Sequence, residues 1–324
     1  MNRKRLRRSN TLRGGDRQIK GGLMAKEVMT DEISAIRKTF KGLRKARGYT
    51  QADISDEIVS KSLISKFENG TSMLAADKLL HVIAKLNMTP NEFVNVLNDY
   101  QPDRMQKLYN TLNQIRFSGL QGVKRSEKLI IEETTDKFEI LSNIMIKSVL
   151  QDVTEKQYVS LVERNIVGDY LNGLDNWTEF EVKLLYYACP ILDRGDFKWF
   201  GELLLERTKH FYSGSLKNLF VGTLMNLYDG VLEYQELDDA VFFRDKISQF
   251  DFGGDLIAIV NFQMLTDLHD YIENPTKENL IKAENYLDKV DALGGELKVI
   301  IEYSRTRLKG LKLAKHPNTQ CSQK

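Results

Sequence analysis

The sequence predicts an all-α protein: an N-terminal domain of five short helices, followed by an α-solenoid of about five helical hairpins. Three observations carry this. The 324 residues include only 5 prolines, and after Pro102 only Pro190, Pro275 and Pro317 interrupt the chain. Aromatic and β-branched residues recur at spacings of three and four rather than two, which is the period of helices and not of strands. Gly and Asn-Gly steps and Ser, Thr or Asp caps punctuate these apolar runs at helix-length intervals. With 42% apolar and 28% charged residues, a chain of this length buries one or two cores, and two domains fit.

The formal net charge of +2 conceals three regions. Residues 1–30 carry 9 Lys/Arg against 2 Asp/Glu, residues 31–100 carry 10 against 9, and residues 101–324 carry 28 against 34. A basic front and an acidic body suit a protein whose one end meets a polyanion and whose other end meets something else. The first stretch has little apolar periodicity, so residues 1–28 read as a disordered basic leader. As a functional element it is an arm against DNA phosphates. Alternatively it is a leader outside the native protein, because Lys20-Gly21-Gly22 is what a ribosome-binding sequence before a start at Met24 would encode.

Residues 29–100 read as five short helices. Asp31 to Arg47 places Ile33, Ile36, Phe40 and Leu43 on one face and stops at Gly48. Thr50-Gln51-Ala52-Asp53 reads as a capping box opening a second helix through Ile54 and Ile58. Ser60 caps a third helix, Lys61 to Glu68, ended by Asn69-Gly70. Leu74 to Leu86 and Pro90 to Leu97 follow, the last with Thr89 as cap and Pro90 at its first position.

The third helix carries the chemistry. Ile64 and Phe67 point inward toward Ile54 and Ile58, leaving Lys61, Ser62, Ser65 and Lys66 on the opposite face, with no carboxylate before Glu68. Such a face, laid in the major groove, offers Lys to guanine O6 and N7 and Ser to several base edges, while Gln51 can reach a phosphate. A solvated helix face is the bland alternative. The order of motifs decides between them. A Leu-Arg pair before Thr50-Gln51, then Ser60-Lys61-Ser62 through Phe67-Glu68-Asn69-Gly70, and a closing Thr89-x-x-Glu92-Phe93 resemble the phage-repressor-like helix-turn-helix of the Cro/CI or XRE class. That resemblance implies base reading by Lys61, Ser62, Ser65 and Lys66, and backbone contacts by Arg44, Gln51, Ser60 and Asn69. It gives Ile64, Phe67 and Glu68 structural positions.

Gln101-Pro102-Asp103 marks a boundary. Beyond it, helices are expected near 103–117, 125–150, 154–172, 177–192, 195–212, 215–233, 235–249, 255–273, 276–291 and 295–315. Ten helices make five antiparallel pairs, a degenerate helical-repeat solenoid without a consensus tetratricopeptide pattern. Residues 317–324 read as a tail. Within this region Tyr170-Leu171 through Trp177-Thr178 to Phe180-Glu181-Val182 resembles the tyrosine-leucine, tryptophan-threonine, aromatic-glutamate string of the Rgg/GadR/MutR regulators. Combined with Ser60-Lys61-Ser62 and Ser65-Lys66-Phe67-Glu68, the resemblance spans about 29–315. It implies a cytoplasmic homodimer that binds an inverted-repeat promoter site in double-stranded DNA, under control of a short hydrophobic signalling peptide sensed by a tetratricopeptide-like domain. The chain departs from the family at its basic leader and at Val59, where some members have a cysteine that links two DNA-binding domains.

A peptide site follows from the concave face that such a solenoid presents. Asparagines satisfy peptide donors and acceptors together. Asn218 and Asn226 lie eight apart on one helix, and Asn261 sits mid-helix, where Asn has poor propensity. Tyr186, Tyr187, Phe220 and Met264 can wall apolar pockets, and Arg207 can face a carboxylate. Core packing is the alternative for each aromatic. Dimerisation is expected through Leu293, Leu297, Ile300, Ile301 and Leu308, or these pack within the monomer.

No catalytic residues, metal or cofactor are expected. His81, His210, His269 and His316 lack metal-ligand spacing, and the Gly pairs lack the lysine of a phosphate loop. Cys189 and Cys321 are too few and too far apart for a disulfide framework or zinc site. No stretch suits a membrane span or secretory signal, so a cytoplasmic protein is expected. Two other readings of the sequence are a constitutive helix-turn-helix repressor whose repeats only dimerise, and a helical-repeat interaction scaffold.

Overall fold

The computed structural model describes residues 15–118, 123–211, 214, 216–294 and 297–315, and every element among them is helical. Its contacts divide the chain into residues 1–107 and 108–324. The division falls inside a helix rather than at Gln101-Pro102-Asp103.

The first unit contains α1 (Gly15–Ala46), α2 (Lys61–Glu68), α3 (Ala76–Lys85) and α4 (Pro90–Leu97). Helix α1 begins well before Asp31, so residues 15–28, expected as disordered leader, are helical; residues 1–14 lie outside the described ones. No proline interrupts that stretch, and the helix runs through Gly21 and Gly22. At its other end α1 gives way to Gly48 at φ +76°, a conformation that costs glycine nothing.

The second of the five expected helices does not form. Residues 51–54 are turns, and no helix occurs between Ala46 and Lys61. Side chains here compete for the backbone groups a helix would use. Thr50 and Asp53 do exchange the reciprocal hydrogen bonds of the expected capping box, Thr50 N–H to Asp53 Oδ2 at 2.7 Å and Asp53 N–H to Thr50 Oγ1 at 3.2 Å, but the turn they open is not continued. Three residues on, Asp56 Oδ1 accepts the N–H groups of both Ile58 and Val59 at 3.0 Å. This exchanges the roles of two apolar residues: Val59 is fully buried and Ile58, expected inside, is 56% exposed. Val59 joins Phe40, Ile54, Ile64, Phe67, Val82, Leu86 and Phe93 in one core, against which Ile36 and Leu43 pack. Thr89 closes the unit with a capping box to Glu92, as its sequence predicts.

The second unit consists of α5 (Arg104–Ser118), α6 (Val123–Glu127), α7 (Lys137–Thr154), α8 (Leu161–Asn172), α9 (Glu179–Ala188), α10 (Asp196–Arg207), α11 (Lys217–Glu233), α12 (Leu237–Ile247), α13 (Leu256–Glu273), α14 (Lys277–Asp291) and α15 (Leu297–Lys315). Helices α7, α9, α11 and α13 pack in succession as one layer, α15 packs on α13 and α14, and α8, α10, α12 and α14 cover that layer. This is the stacked-hairpin order expected of a solenoid.

The expected helix 125–150 is instead two, because residues 128–136 leave the helix. Glu133 takes a left-handed φ of 57°, Asn143 holds both the N–H and the C=O of Ile131, and Asp136 recaps the chain by accepting from Glu139 N–H. Two glycines let neighbouring helices close in: a Cβ on Gly230 would stand 2.0 Å from the Phe197 ring, and one on Gly201 2.5 Å from Phe243. The stripe expected to dimerise divides, with Ile301 and Leu308 buried within the unit and Leu293 62% exposed. No described helix is long and apolar enough to cross a membrane.

Candidate DNA-binding face and peptide groove

Helix α2 is fixed at both ends. Ser60 Oγ accepts Leu63 N–H at 3.3 Å, and Asn69 ends the helix ahead of Gly70 at φ +81°. Ile64 and Phe67 anchor its inner face, with Phe67 edge-on to Phe40 of α1 at 5.6 Å between centroids. The opposite face holds Lys61, Ser62 and Lys66, all exposed, with Ser65 half-buried beside them and 3.5 Å from Asn69 Nδ2. All four expected base-reading residues therefore share one accessible face of one helix. Ser60 and Asn69 flank it, both exposed.

Arg44 and Gln51, expected at the DNA backbone, are engaged elsewhere. Arg44 is 6% exposed; its Nε and Nη2 donate to Glu68 Oε1 and Oε2 at 2.6 and 2.8 Å, and its Nη1 donates to Tyr49 O at 2.6 Å. Gln51 Nε2 donates to Glu68 Oε2 at 2.9 Å. Burial opposes the charge on Glu68, but the Arg44 and Gln51 hydrogen bonds outweigh it and hold the carboxyl below its ordinary range. A buried carboxylate left unpaired would be costly, so both donors are committed to it. Beside this lock, Asp56 Oδ2 meets His81 Nε2 at 2.7 Å and Lys85 Nζ at 3.0 Å, ties that keep its carboxyl well below the usual range.

The peptide candidates separate in the same way. Tyr187, Phe220 and Met264 are core residues at 4%, 0% and 6% exposure. Tyr187 stacks on Tyr109 and donates its hydroxyl to Asn113 Oδ1. Arg207 turns away, donating from Nη1 to Leu171 O at 2.7 Å and to Asn172 O at 3.2 Å, where it satisfies the open carbonyls at the end of α8. Asn226 Nδ2 bridges to Tyr186 O at 3.3 Å, and Asn261 Nδ2 lies 3.6 Å from Met225 Sδ. Both asparagines are half-buried, as is Tyr186, and Asn218 is exposed. Asn226, Tyr186 and Asn261 share the α9, α11 and α13 layer.

That layer also carries a polar cluster that no sequence signal singles out. Arg116 lies 5.0 Å from the Tyr186 ring centroid and 3.7 Å from Asp152 Oδ2. On α11, one turn after Asn226, Asp229 pairs with Arg307 and takes the Tyr303 hydroxyl at 3.4 Å. Glu233 follows one turn later; burial and then the charge of Asp152 raise its carboxyl. Burial lowers the Arg307 guanidinium to about 10. Asn226, Asp229 and Glu233 are readable as one helix face; their meeting with Tyr303 and Arg307 is not.

The Tyr170 to Val182 string is structural. Trp177, 1% exposed, donates Nε1 to Leu171 O at 3.3 Å. Glu181 takes the Thr178 N–H and hydroxyl and the Tyr170 hydroxyl at 2.8, 2.6 and 2.6 Å. It locks the turn from α8 into α9. Buried Cys189 has its thiol pushed up to about 12 by burial, so it is unreactive. Among the described residues no group of His, Cys, Asp and Glu can hold a metal ion.

Comparison with known proteins places this architecture. A helix-turn-helix family profile matches residues 40–93. In fold, the chain is similar to the SHP pheromone receptor Rgg2 of Streptococcus dysgalactiae (18% identity, 85% of this chain and 99% of that one, TM-score 0.69). It is also similar to a putative transcriptional regulator from Listeria monocytogenes (16% identity, 87% and 98%, TM-score 0.69) and to PrgX in its iCF10 complex (13% identity, 86% and 97%, TM-score 0.61). The profile described as the C-terminal domain of the HTH-type transcriptional regulator Rgg matches residues 124–300, more than half of the chain, and the chain belongs to the Rgg family of helix-turn-helix transcriptional regulators.

Proposed function

We propose that the protein reads an inverted-repeat promoter site as a homodimer and that a short hydrophobic peptide, bound by its repeat unit, shifts it between two DNA-binding arrangements. The observation that carries the DNA half is the α2 face: Lys61, Ser62 and Lys66 exposed on a helix whose other side is pinned into the core. Ser65 completes that face, and Ser60 and Asn69, exposed at its two ends, are the phosphate-contacting residues of this reading. Lys–guanine and Ser–base contacts suit these side chains, with no carboxylate on the face to repel the duplex.

The peptide half draws support from relatives in fold that carry the name pheromone receptor or were solved with iCF10 or cCF10. Asn218, Asn226, Asn261 and Tyr186 remain the residues for peptide contact, joined by Arg116, Asp229, Glu233 and Tyr303. Tyr187, Phe220, Met264 and Arg207 support the site from within. Calorimetry of the full chain with synthetic copies of the short hydrophobic peptides encoded beside the gene tests this half. Saturable binding by one of them, weakened by Asn226→Ala, is expected; no saturable binding by any supports constitutive regulation instead.

A further inference from the structure

A cleft of about 260 Å³ opens between α8 and α10, in the covering layer and built from none of the peptide candidates. Asn165, Gly168, Asp169 and Asn172 of α8 form one side, at helical spacings that keep them on one face. Asp196 and Trp199 of α10 form the other. A Cβ added at Gly168 would meet nothing within 4 Å, so this wall is open. Trp199 is 51% exposed, yet its indole N–H is satisfied by Asn172 Oδ1 at 2.8 Å. With its only donor engaged, the ring offers its π surface alone for recognition.

Charge specifies what that surface suits. Arg164 and Asp193, also in the lining, form an ion pair and cancel. Asp169 and Asp196 have no side-chain partner among the described residues. An accessible indole beside two uncompensated carboxylates and the Asn165 amide is a setting for a planar cation. A guanidinium stacks on the ring while its fork of donors meets carboxylate and amide oxygens, which a compact ammonium cannot do in one plane.

We propose that this cleft binds a guanidinium group, carried either by a small molecule or by an arginine of a peptide segment. The full chain has two tryptophans and Trp177 is buried, so quenching of tryptophan emission reports Trp199. The probes are L-argininamide, acetyl-Gly-Arg-Gly-amide, and L-citrullinamide as the uncharged shape match. A saturable emission change with an arginine probe and none with citrullinamide is expected. Asp169→Asn with Asp196→Asn then weakens binding by about tenfold or more, the scale of a charge contact in a partly desolvated cleft. Tighter binding of the tripeptide assigns the group to a peptide segment, and tighter binding of argininamide to a small molecule; both support the site. A linear response, an equal response to citrullinamide, or an unchanged midpoint in a double variant that melts like the parent overturns it. If the double variant melts early, the citrullinamide comparison on the parent decides alone.

Discussion

Arg44 and Glu68, 24 residues apart, form a two-point ion pair inside the DNA-binding unit, Nε to Oε1 at 2.6 Å and Nη2 to Oε2 at 2.8 Å. The pair ties α1 to the last residue of α2 and so fixes the tilt of the face that carries Lys61 and Lys66. Glu68→Gln strands a buried guanidinium and is expected to destabilise this unit by roughly 3–5 kcal/mol at neutral pH. Because the folded carboxyl sits below its ordinary value, its contribution is complete above that value and is lost as pH falls through the lowered one. Denaturant melts of parent and variant are therefore expected to converge in acid and stay apart at neutral pH.

Lys61→Ala with Lys66→Ala removes exposed cations that hold no core contact. Stability is expected to be unchanged within experimental scatter. Affinity for the promoter site falls by about two orders of magnitude, at roughly 1–3 kcal/mol for each base contact. Fluorescence anisotropy over a salt series checks both the loss and the expected shallower salt slope.

Gly230→Ala places a methyl 2.0 Å from the Phe197 ring, between α11 and α10. Overpacking of this kind costs about 1–3 kcal/mol. Adding Phe197→Leu, which makes room, is expected to recover part of the loss in thermal melts. An additive double variant contradicts the contact.

The local half of this structure was legible in the sequence and the long-range half was not. Ser60, Thr89 and Gly48 act where cap chemistry puts them, because a cap depends on residues within one turn. The segment 50–58 stops after its capping box for a related local reason: Asp56 holds the N–H groups of Ile58 and Val59 in a turn, and periodicity alone does not weigh that competition. One consequence is that Ile58 and Val59 exchanged burial. Arg44, Arg207 and Tyr187 were readable as polar or aromatic candidates, but their partners lie 24, 36 and 74 residues away. No spacing rule relates residues that far apart, so the Asp229 to Arg307 pair and the α8–α10 cleft emerged only from the fold.

His269 is fully buried and shares a 2.7 Å hydrogen bond between Nδ1 and the Tyr228 hydroxyl, while its Nε2 has no partner among the described residues. Burial, and then the Arg244 guanidinium, hold it below the ordinary value of 6.5. The unfolded chain therefore binds this proton more readily, and stability falls as pH drops below that value. His269→Gln is expected to flatten the pH dependence of stability between neutral pH and about pH 5, measured by denaturant melts.

On this reading the α2 face recognises DNA sequence. Selection of bound fragments from random-sequence duplex DNA by the full chain, sequenced after successive rounds, tests it most directly. The expected result is enrichment of one inverted repeat with the parent protein and its disappearance with Lys61→Ala and Lys66→Ala combined. Enrichment of no sequence by the parent, or of the same repeat by the double variant, contradicts it.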